Sequence, residues 1–330
     1  MTALEEQLRA GAVDLCDLVL NPDGFPEWRS AINSTPLDVL LKAEPEIGER
    51  NMARVLRTGQ VRAEDTLDSL DAEQRSWLAE MVLFWRRQLM EPSSDVSPND
   101  QMYRGGSLER YFTTGHVTVR RIKIAMLEAQ LRDLTSILDF GCAWGRVMRS
   151  LKVAFPNATL TACDTNREAV DFCVEAFGAL PVYSAADSKD VDFGGPFDLI
   201  WAGSVFSHMN AARWRDFLST FESLLSPGGL LVFTTPGRRS ASLLRAGKLD
   251  WGLGEDGHAN LLSDYDEQGF GYAHFAEHER GVTLVKPWWT CSELEHHPDL
   301  RLLSLREHAW GEQDVVACMR ADAADLGKMG

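Results

Sequence analysis

A glycine turn, two aspartates and a histidine are the residues of this chain whose types and spacing could do chemistry together. The turn lies in Ile137-Leu-Asp-Phe-Gly-Cys-Ala-Trp-Gly-Arg146, where a short apolar run meets Gly141 and a helix is expected from Val147. In a strand-turn-helix of this kind the backbone amides and the positive helix end face a ligand at the carboxyl end of the strand, which suits a nucleotide-like molecule. A dinucleotide fingerprint beginning at Gly141 would place glycines at 143 and 146; Ala143 and Arg146 stand there, which disfavours nicotinamide. Asp164 follows Gly141 by 23 positions, where an acid ending the next strand is usual at ~20. Its carboxylate can accept both hydroxyls of a ribose. Asp187 can accept from an exocyclic adenine amine, and Phe197-Asp-Leu-Ile-Trp-Ala-Gly-Ser-Val-Phe-Ser-His208 brings small residues and a histidine to the same edge.

The elements that must position these residues are short apolar strands alternating with helices. The strands read as 136–140, 158–163, 180–183, 197–201 and 229–235, after a helix spanning about His116 to Leu131. Near-continuous apolar runs of this kind fit a parallel sheet covered on both faces, a doubly wound α/β domain. Leu300–Leu305 and Asp314–Cys318 are joined only through a short turn at Trp310-Gly311, too short for a helical crossover, so this last pair is antiparallel. The sheet then has seven strands, mostly parallel. The first ninety residues read instead as helices, with Asp71-x-x-Gln74 as a capping-box pattern and Thr35-Pro36 as a helix start. Their Trp77, Phe84 and Trp85 belong to a core or to a homodimer interface. Glu91-Pro-Ser-Ser-Asp-Val-Ser-Pro-Asn99 reads as a linker, which divides the chain into a helical accessory region, 1–97, and an α/β domain, 98–330. Gly237 to Thr290 is an irregular stretch rich in glycine, histidine and aromatics, long enough to be a functional cap inserted after the fifth strand.

The chain of 330 residues carries 33 Lys and Arg against 49 Asp and Glu, a formal charge of -16 that repels phosphate backbones and anionic lipids. Nucleic acid and membrane are therefore excluded as partners. There is no apolar run of ~20 residues, and Glu5 and Glu6 stand where a secretory signal would be positive, so a cytoplasmic protein is expected. The six cysteines are scattered without a Cys-x-x-Cys pair and read as reduced packing thiols.

In sequence order, Asp-Phe-Gly-Cys-x-x-Gly145, Asp164, Phe197-Asp-Leu-Ile200 and Leu225-Ser-Pro-Gly-Gly-Leu-Leu-Val-Phe233 together resemble the class I S-adenosylmethionine-dependent methyltransferases of small-molecule type. The likeness covers roughly Gln101 to Asp322 and departs at Ala143, where glycine is common. It implies that Gly141, Cys142, Ala143 and Gly145 hold the methionine part of S-adenosylmethionine, Asp164 with Thr165 the ribose, and Asp187 the adenine. Ser204 would lie beside the sulfonium, and Tyr103, Arg104 and Tyr111, upstream of the turn, would close over the cofactor. Trp144 and Arg146 in the turn, and Tyr272, His274 and Trp288 in the cap, would face the substrate, a small-molecule acceptor methylated at oxygen.

Methyl transfer to a hydroxyl needs alignment and removal of a proton, and His208 is the base best placed for it. A loop histidine merely preceding the helix cap at Asn210 fits as well. A scaffold protein that keeps the pocket, or a cofactor-binding enzyme of another reaction type, accounts for the same residues. Six of the eight histidines follow residue 250, and His274 and His278 would share a face of a helix. Their glycine-rich, aromatic surroundings read as strand and loop, so no metal is expected.

Overall fold

The computed structural model describes residues 4, 6, 8, 15–20, 26–43, 61–79, 93, 95–104, 108–184, 191–275 and 281–321. The chain divides into two compact units, Met1–Pro92 and Ser93–Gly330. The described part of the first is helical, with Leu15–Leu20, Arg29–Ser34, Leu37–Ala43 and a helix over 72–79. The capping box at the last of these is reciprocal: the Gln74 amide donates to Asp71 Oδ1 at 2.8 Å and the Asp71 amide to Gln74 Oε1 at 3.0 Å. Trp77 is buried there, while Phe84 and Trp85 lie outside the described residues.

The second unit is built on a seven-stranded sheet. Its strands are β1 (Ser136–Phe140), β2 (Thr159–Asp164), β3 (Leu180–Tyr183), β4 (Phe197–Ala202), β5 (Leu225–Pro236), β8 (Leu300–Trp310) and β9 (Gln313–Arg320), while β6 (Phe270–His274) and β7 (Gly281–Val285) form a separate antiparallel pair. The order is β3-β2-β1-β4-β5-β9-β8. Strands β1 to β5 run parallel and β9 runs antiparallel between β5 and β8, as the short turn at Trp310-Gly311 requires. The strands are added outward from β1 in both directions, β2 and β3 on one side and β4 and β5 on the other, so the connections leaving β1 and β4 part and leave a crevice at their carboxyl edge.

Helices α1 (Leu108–Glu128), α2 (Met148–Ala154), α3 (Arg167–Phe177) and α4 (Ala211–Leu224) connect and cover this sheet. α1 begins two turns before the expected His116. Local chemistry sets the starts of α3 and α4: Asn166 accepts from the Ala169 amide at 3.3 Å and Asn210 from the Arg213 amide at 3.0 Å, each satisfying an orphan donor of its helix. A Cβ on Gly115 of α1 would meet Ser150 Oγ of α2 at 2.2 Å, so only glycine lets the two helices approach this closely. The main core lies where Phe206, Trp214, Phe221 and Phe233 pack with Phe270 and Trp289.

The stretch after β5, irregular by its sequence, is regular in the structure. It holds α5 (Arg238–Arg245), α6 (Gly254–Gln268), the β6–β7 pair and the start of α7 (Pro287–Leu294). α6 escapes sequence reading because it buries only Leu261 and Tyr265, leaving too little apolar periodicity to see. No described helix is long and apolar enough to cross a membrane.

Candidate functional site

The carboxyl ends of β1, β2 and β4 open into a cleft of about 780 Å³. Its floor is the glycine turn. Gly141, Ala143 and Gly145 all have positive φ, at 79°, 44° and 75°, which turns the chain sharply from β1 toward α2. Gly141 has no room for a side chain, since a Cβ would stand 2.6 Å from Val205 Cγ2 on the far wall. Ala143 adopts the left-handed conformation without being glycine, at an intrinsic cost of ~1–2 kcal/mol, and its amide donates to Asp164 Oδ2 at 2.9 Å. Asp164 Oδ1 accepts from the Asn166 amide at 2.9 Å. The Thr165 hydroxyl also donates to Oδ1, at 3.4 Å; a carboxylate offers about four lone-pair sites, so Oδ2 keeps capacity for a further donor. Gly141, Ala143 and Trp144 line the cleft on one side, Asp164 and Thr165 on the next.

The third wall is the loop between β4 and α4, which contributes Gly203, Ser204, Val205 and His208. Ser204 is held at φ 59° by a closed ring of hydrogen bonds. Its amide donates to Thr234 Oγ1 at 2.7 Å, Thr234 donates to Gln313 Oε1 at 2.6 Å, and Gln313 Nε2 returns to Ser204 Oγ at 2.9 Å. Ser207 ties the loop further by donating to the Ser204 carbonyl at 2.7 Å. Two strands, β5 and β9, thereby hold one loop. At its end, His208 Nδ1 lies 2.9 Å from the Gly281 carbonyl, and that contact selects the tautomer with the proton on Nδ1 and the lone pair on Nε2. The imidazole is exposed and lines the cleft.

The remaining sequence candidates lie elsewhere. Cys142 is buried under the turn, where the Cys173 thiol and burial raise its pKa, and Gly145 presses against the Phe177 ring. Tyr111 is buried and donates to Asp100 Oδ2 at 2.6 Å, with Tyr103 edge-on to its ring at 5.5 Å. The guanidinium of Arg146 stands over Trp310 at 5.6 Å. Tyr272 packs against the main core with His274 beside it at 5.0 Å, and Trp288, 55% exposed, covers Gly269. Arg146, Tyr272, His274 and Trp288 are not among the residues lining the cleft. Asp187 and the side chain of Arg104 lie outside the described residues.

The structure adds residues that sequence reasoning passed over. Asn99, the last residue of the segment that reads as linker, and Asp100, Gln101 and Met102 just after it line the cleft; buried Asp100 is bonded to Tyr111, and no sequence signal marked these four. Arg149, 1% exposed, donates to the carbonyls of Ser93 and Asp95 and is enclosed by the rings of Tyr111, Phe112 and Phe177, which anchors the same segment to α2. Asp139, one position from the end of β1, is fully buried, and its Oδ2 has no hydrogen-bond partner among the described residues. Burial, and then the charge of Asp164, push its pKa up to about 7. Its signal was a carboxylate inside an otherwise apolar strand.

Residues 138–231 match the family model described as a methyltransferase domain. Among curated proteins, the chain is similar to malonyl-[acyl-carrier protein] O-methyltransferases of Anoxybacillus flavithermus, 24% identical over 37% of this chain and 46% of that one, and of Halalkalibacterium halodurans, 27% identical over 34% and 45%. It thus spans just under half the length of these relatives. Similar solved structures include a S-adenosylmethionine-dependent methyltransferase from Clostridium acetobutylicum, at 13% identity, 68% and 96% coverage and a TM-score of 0.45. Another is an O-methyltransferase family protein from Burkholderia thailandensis, at 13% identity, 98% and 99% coverage and a TM-score of 0.40. The glycine turn, with no room for a Cβ at Gly141, and a carboxylate with spare acceptor capacity suit an adenosyl ligand. The family match runs from β1 into β5, across the same elements that build this cradle, so the chain carries a methyltransferase domain over residues 138–231.

Proposed function

We propose that this protein transfers a methyl group to an oxygen atom of a small-molecule acceptor, with His208 as the general base. The observation that carries this reading is the His208 Nδ1 contact with the Gly281 carbonyl at 2.9 Å, which turns a lone-pair nitrogen into a base at the lip of the cleft. In this reading the turn from Gly141 to Ala143 holds the methionine part of S-adenosylmethionine and Asp164 accepts from the ribose hydroxyls. When bound, the cofactor supplies an electrophilic methyl group on a sulfonium. Ser204, fixed by Thr234 and Gln313, sets the wall against which the acceptor approaches, so alignment comes from a rigid loop. His208 Nε2 takes the proton from the acceptor hydroxyl. Oxygen as the acceptor atom agrees with the names of the two curated relatives, both O-methyltransferases.

The test begins with calorimetric titration of S-adenosylmethionine, S-adenosylhomocysteine and NADH. Adenosyl compounds should bind and NADH should not. Hydroxyl-bearing acceptors, screened with a labelled methyl donor, should then show a rate that rises with pH through the neutral range as the imidazole loses its proton. A rate independent of pH there, for a hydroxyl acceptor, would remove His208 from the base role.

A further inference from the structure

The turn that carries His208 is pinned from three directions. Of its residues Phe206–His208, Phe206 and Ser207 are buried and His208 alone lines the cleft. The buried indole of Trp214 in α4 donates to the Phe206 carbonyl at 3.0 Å, and Ser207 donates back to the Ser204 carbonyl. At the far end Met209 leaves the helical conformation, at φ -114° and ψ 138°, and Thr283 of β7 donates to its carbonyl at 2.6 Å.

Packing alone does not call for a hydroxyl at this position. All five residues of β7 are buried, and Val282, Leu284 and Val285 are apolar. Valine has nearly the shape of threonine, and a buried hydroxyl costs free energy unless it is bonded. The one hydrogen bond that the Thr283 side chain makes among the described residues goes to the turn, 74 residues away in the chain. Two positions earlier on the same strand, the Gly281 carbonyl accepts from His208 Nδ1 at 2.9 Å. Gly281 is itself held: a Cβ there would stand 2.6 Å from Tyr272 Oη, so the Tyr272 ring lies directly on the strand, and Tyr272 is the register partner of Thr283. β7 thus reaches two consecutive residues of the cleft wall, His208 through its backbone and Met209 through a side chain.

We propose that Thr283 is a positioning residue for the methyl transfer. By holding Met209 against β7 it keeps the His208 ring opposite the Gly281 carbonyl, which fixes both the tautomer and the direction of the imidazole. The inference rests on the reading of His208 as the base and adds the residue that sets its geometry. Thr283 is fully buried and is not among the residues lining the cleft, so it acts through His208 and not on a ligand. Displacing a reacting group by ~1 Å can cost ~10²-fold in rate, which makes one distant hydrogen bond worth keeping.

The experiment uses the full chain with isotope-labelled histidine. It compares the wild type with Thr283→Val and Thr283→Ala, which lose the hydroxyl, and with Thr283→Ser, which keeps it. Proton–nitrogen correlation spectra report the imidazole tautomers, and His208 is identified by the signals that His208→Gln removes. The wild type and Thr283→Ser should show one neutral tautomer, protonated on Nδ1, and the other two variants a mixture. S-adenosylhomocysteine affinity should stay within about twofold in all four. With the hydroxyl acceptor methylated fastest in the screen above, kcat should fall roughly tenfold in Thr283→Val and Thr283→Ala, with KM for S-adenosylmethionine unchanged. The same single tautomer in all four proteins would overturn the proposal and leave His208 standing as the base. A mixture of tautomers with an unchanged kcat would overturn it differently, by removing His208 from the base role. Loss of S-adenosylhomocysteine affinity in step with kcat would reduce Thr283 to a support of the whole cleft and would also overturn it.

Discussion

The two sides of the cleft are made in different ways. The side toward β1 and β2 is local: Gly141, Ala143 and Asp164 lie within two consecutive strand-helix units, and the bond from the Ala143 amide to Asp164 spans 21 residues. The side toward α4 is assembled from afar. His208 is oriented by Gly281, 73 residues away, and Gln313 reaches Ser204 across 109. The turn side is set by neighbours in the chain, whereas the α4 side depends on β7 and β9, which reach it from far along the sequence.

Substitutions can break this comparison at either side. The largest effect is expected at the acceptor side: His208→Ala should lower kcat by ~10²–10⁴, with S-adenosylmethionine affinity held within about twofold. Rate and affinity falling together would show that the imidazole belongs to the cofactor side instead.

Beneath the turn, Asp139 should make stability depend on pH. Its folded pKa of about 7 lies above the ordinary value of 3.8, so the protonated form favours the native state. That contribution is complete below about pH 4 and is lost as pH rises to 7, on the order of 4 kcal/mol over the window. Asp139→Asn should flatten this fall in urea unfolding of the ligand-free protein. Asp314, raised to about 6 mainly by burial, stays in both proteins, so the difference between them isolates Asp139. Parallel pH profiles for the two proteins would contradict the assignment.

Asp164→Ala should weaken S-adenosylmethionine binding by roughly 100-fold, as expected from losing hydrogen bonds to a charged acceptor. Asp164→Asn should recover part of it by calorimetry. Gln313→Ala, which opens the ring around Ser204, should lower kcat roughly tenfold by loosening the loop, without changing cofactor affinity. An unchanged kcat would mean that Thr234 and Ser207 suffice. The smallest effect is expected at Ala143→Gly, which relieves a left-handed alanine and should stabilise the fold by at most ~1 kcal/mol in thermal or urea unfolding.

The sheet was legible in the sequence because parallel strands are buried on both faces and read as apolar runs, and the reversal at β8–β9 followed from a turn too short for a crossover. The cradle was legible for a related reason, since a glycine at positive φ and an acid at a strand end are local requirements. The helices after β5 were not legible, because α6 hides only Leu261 and Tyr265 from water. Asn99 closes a segment that reads as linker by composition, and only packing through Asp100, Tyr111 and Arg149 brings it and the next three residues to the cleft.

By itself, then, the sequence determined the strands of a doubly wound sheet with an antiparallel last pair, the glycine turn after the first of them and the carboxylate beside it, because each follows from backbone conformation or from neighbours close in the chain. Tertiary structure alone decided that His208 would be oriented by Gly281, that Thr234 and Gln313 would lock Ser204, that Arg213 would face the cleft and that Tyr272 and Trp288 would pack away from it. The orientation of His208 and the locking of Ser204 depend on contacts 73 and 109 residues apart, with Gly281 and Gln313, and no periodicity or local spacing encodes which of many polar residues such contacts will bring together.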